Sequence, residues 1–341
     1  MSNAKNRKKF TACGDKEAEN LLKRVLLEMK ETLSGTDLCV VLGGGYGRGD
    51  GGVRQDKENG ILYNDLDFFV FASNVPARGE ELLKDIAEKY EKELKVDMDF
   101  SRVMTGRDIK NNERRLMMQE LKRGYHLVCG EDFPAKYLKE RPARELPFSE
   151  ACRLLFNRGM GLLLAGEKIS NNSSDTDFIL RNIYKAVLGA VDAILISSGK
   201  YYWHIGQRLK FVEDSEYPEL WKELYREAVA FKHAPHRKMK EDMVSFWNNV
   251  RDFFQSAVIL SAGDCNFPEG IYRRCRAGKE ASFKNYVKYC IKSRSLPLLT
   301  WKYYTVPAAA VLLSDVFAEL ENMPEKLEKK SKLYRMWRIF N

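Results

Sequence analysis

The chain has 341 residues, 44% of them hydrophobic and 31% charged, a balance that excludes wholesale disorder. That length supports a substantial core and predicts two domains rather than one. The formal net charge of +9 favours acidic partners such as nucleotides, nucleic acid or anionic surfaces, or else sits in solvated ends at Lys5 to Lys9 and Lys326 to Arg338.

Lys16 to Leu33 places Leu21, Leu22, Val25, Leu26 and Met29 on one face and predicts an amphipathic helix. Leu38 to Leu42 reads as a buried strand that runs into Gly43-Gly44-Gly45-Tyr46-Gly47-Arg48-Gly49-Asp50. Asp50 to Tyr63 is expected to be a polar loop. Leu66 to Phe71 predicts a second strand, opened by Asp65-Leu66-Asp67. Gly79 to Leu94 predicts a charged helix, and Val96 to Phe100 a third strand carrying Asp97-Met98-Asp99. A helix from about Asp108 to Lys122 and a sheet edge at Tyr125 to Cys129 follow.

Beyond Pro147 the apolar spacing becomes helical, over Phe148 to Lys168, Asp177 to Ser198, Tyr217 to His233, Lys238 to Leu260 and Pro307 to Asn322. The expected class is therefore α/β (α+β): a mixed sheet with helices on one side within residues 1–140, a helical domain over 148–325, and a basic tail over 326–341. Seven scattered cysteines lack a CxxC pair, which argues for a reducing compartment. No apolar segment has a secretory or membrane-spanning pattern, so a cytoplasmic protein with no membrane partner is expected.

Three chemistries compete for the glycine-rich turn. A P-loop needs a lysine and a hydroxyl after its last glycine, and neither follows here. A dinucleotide fingerprint matches formally at Gly47, Gly49 and Gly52, but Val53 to Gly60 does not open the apolar helix that a pyrophosphate site requires. The third chemistry is metal-dependent phosphoryl or nucleotidyl transfer. Glycines let main-chain N–H groups reach phosphate oxygens, and period-two spacing puts both carboxylates of each acidic pair on one strand face. Crowded carboxylates repel one another without a cation, so such a cluster itself argues for one.

Gly44-Gly45-Tyr46-Gly47-Arg48-Gly49, then Asn64-Asp65-Leu66-Asp67-Phe68, then Val96-Asp97-Met98 resembles the signature of the DNA polymerase β superfamily of nucleotidyltransferases, over roughly the first third of the chain. The resemblance implies Asp65 and Asp67 as ligands of Mg²⁺ or Mn²⁺, with Asp97 completing the site and helping to deprotonate the acceptor. Asp99 points the same way as Asp97 and is the alternative third carboxylate. It also implies that Gly44, Gly45 and Arg48 engage the phosphates. The helical half resembles that of aminoglycoside nucleotidyltransferases, which closes over the nucleotide and supplies cations to the triphosphate. Of Arg158, Arg181 and Lys185, Lys185 is the preferred cation, with a solvated lysine as the plain alternative.

The implied reaction transfers a nucleoside monophosphate, AMP from ATP by family frequency, to a hydroxyl or phosphate of a small-molecule acceptor, releasing pyrophosphate. RNA terminal transfer, protein adenylylation and a catalytically retired nucleotide-binding protein are the alternatives. Two departures from the family pattern stand out: Gly45 occupies the usual serine position, and the stretch from the turn to Asp65 is long. His233-Ala234-Pro235-His236 reads as an ordinary turn, because proline breaks the helix that would align two imidazoles. Tyr201-Tyr202-Trp203-His204 and Trp301-Lys302-Tyr303-Tyr304 read as helix-packing anchors before base-stacking platforms.

Overall fold

The structure, a computed structural model, describes residues 9–56, 59–74, 79–263, 267–278, 306–321 and 332–340. The chain divides into two compact units, Met1–Arg141 with Ala230–His236, and Pro142–Val229 with Arg237–Asn341.

The first unit is mixed α/β. Helix α1 (Lys16–Thr32) starts where the Asp15 carboxylate accepts from the Ala18 N–H. Strand β1 (Cys39–Leu42) leads into a five-residue helix α2 (Gly44–Arg48), so the glycine-rich turn is itself helical. Next come β2 (Val53–Asp56), β3 (Asn59–Leu62), β4 (Leu66–Phe71), α3 (Gly79–Leu94) and β5 (Met98–Phe100). Then α4 (Gly106–Asn112), α5 (Leu116–Arg123), β6 (His126–Cys129) and α6 (Phe133–Tyr137) complete the layer. The main sheet runs β5-β4-β1-β6, with β4 and β5 parallel and β1 antiparallel to both β4 and β6. The strand at Tyr125 to Cys129 is accordingly a sheet edge.

Helices cover both faces of this sheet, which corrects the expectation of one. Strand β4 is apolar on both sides. Leu66, Phe68 and Val70 join Leu22, Val25 and Met29 of α1 and Leu83, Ile86 and Tyr90 of α3 in one core. Phe69 and Phe71 join Ile109, Met118, Leu121 and Phe133 in the other. A strand that is apolar on both faces must be covered on both.

Two other expectations change. Asp50 to Tyr63 is not a loop throughout: β2 and β3 form a hairpin in which Val53 pairs with Leu62, both buried. The helix expected over Asp108 to Lys122 is two helices, because the Glu113 carbonyl accepts from the buried Gln119 side chain at the break.

The second unit is helical. Within it lie α7 (Phe148–Ser170), α8 (Thr176–Ser197), α9 (Ile205–Glu213), α10 (Glu219–His233) and α11 (Met243–Ala262), although the last turn of α10 belongs to the first unit. α12 (Glu269–Ala277), α13 (Ala308–Glu319) and α14 (Lys332–Phe340) follow. α7 and α8 pack along each other, and Gly159 lets α7 approach Val316 of α13 and Phe254 of α11. The buried Trp247 N–H donates to the Leu162 carbonyl at 2.8 Å. Asp192, a charge inside the apolar face of α8, meets the buried Arg208 of α9 at 3.0 Å.

Part of the expected tail is also structured: 332–340 is helical with Leu333 and Met336 buried, while 326–331 lies outside the described residues, as do Lys5 to Lys8 and Trp301 to Tyr304. Among the described residues, no helix is long and apolar enough to cross a membrane.

Candidate functional site

The glycine turn is fastened directly to the acid-bearing strand. The Gly43 N–H donates to the Asp67 carbonyl at 2.8 Å. Gly44 opens α2 with φ +59°, and a Cβ there would overlap the Asp67 carboxylate. Glycine is thus required at 44 by both backbone conformation and space. Gly45 differs, since a Cβ there would come no nearer than 3.7 Å to any neighbour.

Parallel pairing of β4 with β5 matches Leu66 to Met98, Asp67 to Asp99 and Phe68 to Phe100. The Leu66 N–H donates to the Asp97 carbonyl at 2.9 Å, carrying the ladder back one residue. Leu66, Phe68 and Met98 face the core built with α1 and α3. By strand alternation, Asp65, Asp67, Asp97 and Asp99 share the opposite face. Asp67 and Asp99 are direct cross-strand neighbours, at the strand spacing of about 4.8 Å. Asp65 and Asp97 stand one pleat earlier, about 6.6 Å back along their strands.

The structure therefore brings Asp67, Asp99 and Gly44 together, and it favours Asp99 over Asp97 as the direct partner of Asp67. Asp65 is half-buried, whereas Asp67, Asp97 and Asp99 are exposed. Among the described residues, no three His, Cys, Asp or Glu side chains converge closely enough to hold a metal ion by themselves. The expected trio Asp65, Asp67 and Asp97 thus does not converge as such: Asp67 is paired with Asp99, and Asp65 and Asp97 are set back.

Arg48 is not brought to the cradle. It closes α2 at the end away from Gly44, and its guanidinium donates to Glu120 of α5 at 3.2 Å, with both side chains largely buried. Lys185 lies half-buried on α8 of the second unit, in contact with its own surroundings. Tyr201 is buried and its hydroxyl accepts from Arg208 at 2.8 Å, so this aromatic cluster anchors helices as expected.

Two contributors went unrecognised in the sequence. The first is Tyr46, fully buried on α2. Its hydroxyl donates to the Gly52 carbonyl at 2.8 Å and accepts from the Tyr63 N–H at 3.0 Å, two residues before Asp65. Burial pushes this phenol up to about 12, against the opposing hydrogen bonds from the Tyr63 and Asn64 backbone. Tyr46→Phe should leave two buried backbone groups unpaired and cost about 1–3 kcal/mol. Urea unfolding measures that loss, and an unchanged midpoint would remove Tyr46 from the framework of the site.

The second contributor is the segment 230–236, which belongs to the first unit. Phe231 meets Tyr63 edge to face at 5.9 Å, and the Lys232 carbonyl lies against Gly52 with no room for a Cβ between them. The expected turn at Pro235 is present, but it sits on the glycine segment rather than in isolation. Burial pushes the His233 imidazole below its usual value, Lys232 adds to the shift, and Asp50 opposes it.

The native state therefore binds fewer protons than the unfolded chain just below about pH 6.5. The stability contributed by neutral His233 is complete above that pH and is lost as pH falls through the depressed value. The urea midpoint should decline more steeply between pH 6.5 and 5 in the wild type than in His233→Gln; parallel pH profiles would refute the assignment.

Comparison with protein-family models, with curated proteins and with solved structures returns no significant match. The functional reading therefore rests on the residues themselves and on their geometry.

Proposed function

We propose that the chain is a metal-dependent nucleotidyltransferase that moves a nucleoside monophosphate, AMP from ATP, onto a hydroxyl or phosphate of a small-molecule acceptor and releases pyrophosphate. The observation that carries this reading is the register of Asp67 with Asp99 on one sheet face, with the Asp67 carboxylate resting on Gly44 at the start of α2.

That donor set suits Mg²⁺, which binds through one or two carboxylates and completes its shell with water and substrate phosphates, so three converging side chains are not required. Asp67 and Asp99 would hold Mg²⁺ or Mn²⁺, and the bound ion would neutralise charge on the phosphates. The main-chain N–H groups of Gly44 and Gly45 face the phosphate oxygens in place of the serine hydroxyl common in the family. Asp65 strengthens the negative field on the same face, and a carboxylate oxygen of Asp97 accepts the proton of the acceptor hydroxyl.

The test is incubation with α-labelled ATP, Mg²⁺ and a panel of hydroxyl- and phosphate-bearing acceptors. Label transfer with matching pyrophosphate release is expected. ATP binding without transfer to any acceptor would instead mark a retired nucleotide-binding protein. Transfer only to RNA ends, with affinity falling steeply as salt rises, would replace the small-molecule acceptor.

A further inference from the structure

A cavity of about 420 Å³ lies within the helical unit, walled by the C-terminal end of α7, the start of α8 and the last helix, α14. Its volume falls in the range of small-molecule sites. Three of its walls are aromatic: Phe178 from α8, and Tyr334 and Trp337 one turn apart on α14. Tyr334 and Trp337 are tilted by 53° with centroids 5.8 Å apart, so neither ring covers the other's face in a parallel stack. The Trp337 N–H donates to the Asn157 side chain at 2.9 Å, which fixes the indole and leaves its contribution to the cavity apolar.

The polar walls are Glu167, Lys168 and Asn171, with Ser173 beside them. The Asn171 amide donates to the Glu167 carbonyl at 2.7 Å, so its plane is held in place. Lys168 lies 3.0 Å from the Asp175 carboxylate and 5.0 Å from the centre of the Phe178 ring.

These partners narrow the ligand's charge. Lys168 is the only cation among the described lining residues, and Asp175 already balances it, so the cavity offers little to a phosphate or carboxylate. The Lys168 ammonium already sits over the Phe178 ring, in the place that a ligand cation would take. A neutral flat ring fits both conditions: its faces stack on Tyr334 and Trp337, with the edge of Phe178 beside it, and its polar edge meets Glu167 and Asn171. A carboxylate and an amide together match an edge that carries an exocyclic amine beside ring nitrogens.

We propose that this cavity binds the base of a free purine nucleoside, in a site separate from the acids of β4 and β5. The proposal does not rest on the transferase reading, because no metal and no residue of the first unit takes part.

The test is calorimetric titration of the full chain with adenosine and guanosine in EDTA, using the wild type and the Asp65→Asn, Asp67→Asn double variant. Saturable one-site binding, equal in both proteins, is expected. Trp337→Ala should weaken it about fivefold or more, while Trp337→Phe, which keeps an aromatic face, should retain most of it. Uridine, which has no exocyclic amine, should bind more weakly than either purine. Thermal melting reports whether Trp337→Ala folds; if it does not, Phe178→Ala and Asn171→Ala test the opposite wall and the edge.

Absence of binding at millimolar nucleoside would overturn the proposal, as would affinity unchanged in both Trp337→Ala and Phe178→Ala. Binding that requires Mg²⁺ and vanishes in the acid double variant would move the nucleoside to the first unit. Displacement of adenosine by tetramethylammonium would reassign the aromatic walls to a cation.

Discussion

Replacing Asp65 and Asp67 together with asparagine is expected to abolish pyrophosphate release while leaving the fold intact. Asparagine keeps the size of each side chain, and removing two like charges from one sheet face relieves repulsion rather than adding strain. The loss should exceed about a hundredfold, since disturbing even the outer partners of a metal site costs 10–100-fold.

The single variants divide the roles further. Asp99→Asn should act through metal affinity, so raised Mn²⁺ should restore part of its turnover. Asp97→Asn should lower kcat by about a hundredfold and leave the metal requirement unchanged. A silent Asp99→Asn beside a metal-sensitive Asp97→Asn would return the third carboxylate to Asp97. Full turnover in the double variant would remove the site altogether.

The second large effect separates two adjacent glycines. Gly44→Ala forces an L side chain into φ +59° and into the space of the Asp67 carboxylate. The backbone alone costs about 1–2 kcal/mol, and the displaced carboxylate adds to that. Both the urea midpoint and turnover should fall sharply. Gly45→Ser has room for its Cβ and supplies the hydroxyl usual in the nucleotidyltransferases that the motif resembles, so stability should stay within about 0.5 kcal/mol and turnover should persist. Equal tolerance at both positions would mean that Asp67 does not rest on the glycine turn in solution.

Local patterns made much of the fold readable. Leu66–Phe71 and Gly79–Leu94 have the limits their periodicity predicts, because a near-continuous apolar run and a clean amphipathic stripe each leave one solution. The β2–β3 hairpin was hidden by four-residue strands carrying Arg54, Gln55 and Asp56, whose composition reads as loop. The helices α9 and α12, nine residues each, are too short for a decisive stripe.

The site was legible in its parts but not in its pairing. Asp97 and Asp99 have the same parity and the same apolar flanks, so only the register against β4 distinguishes them, and register is a property of two strands. Arg48 looked like a phosphate ligand by adjacency to the glycines, whereas Glu120, 72 positions later, is its actual partner. Tyr46 shows the same limit, since its value to the turn depends on Gly52 and Tyr63 closing around its hydroxyl.

The return of residues 230–236 to the first unit has a consequence for how this protein can be cut and recombined. The first unit is not a cassette. A fragment ending at Arg141 would lack the backbone that covers Gly52 and the ring that covers Tyr63, and so would begin life with part of its core unroofed. In genetic terms, 142–229 interrupts the first unit and 237–341 resumes the second, so grafts of the helices should respect all three joints. Exchange of the helical unit would then require moving 142–229 and 237–341 while leaving the seven-residue patch 230–236 in place.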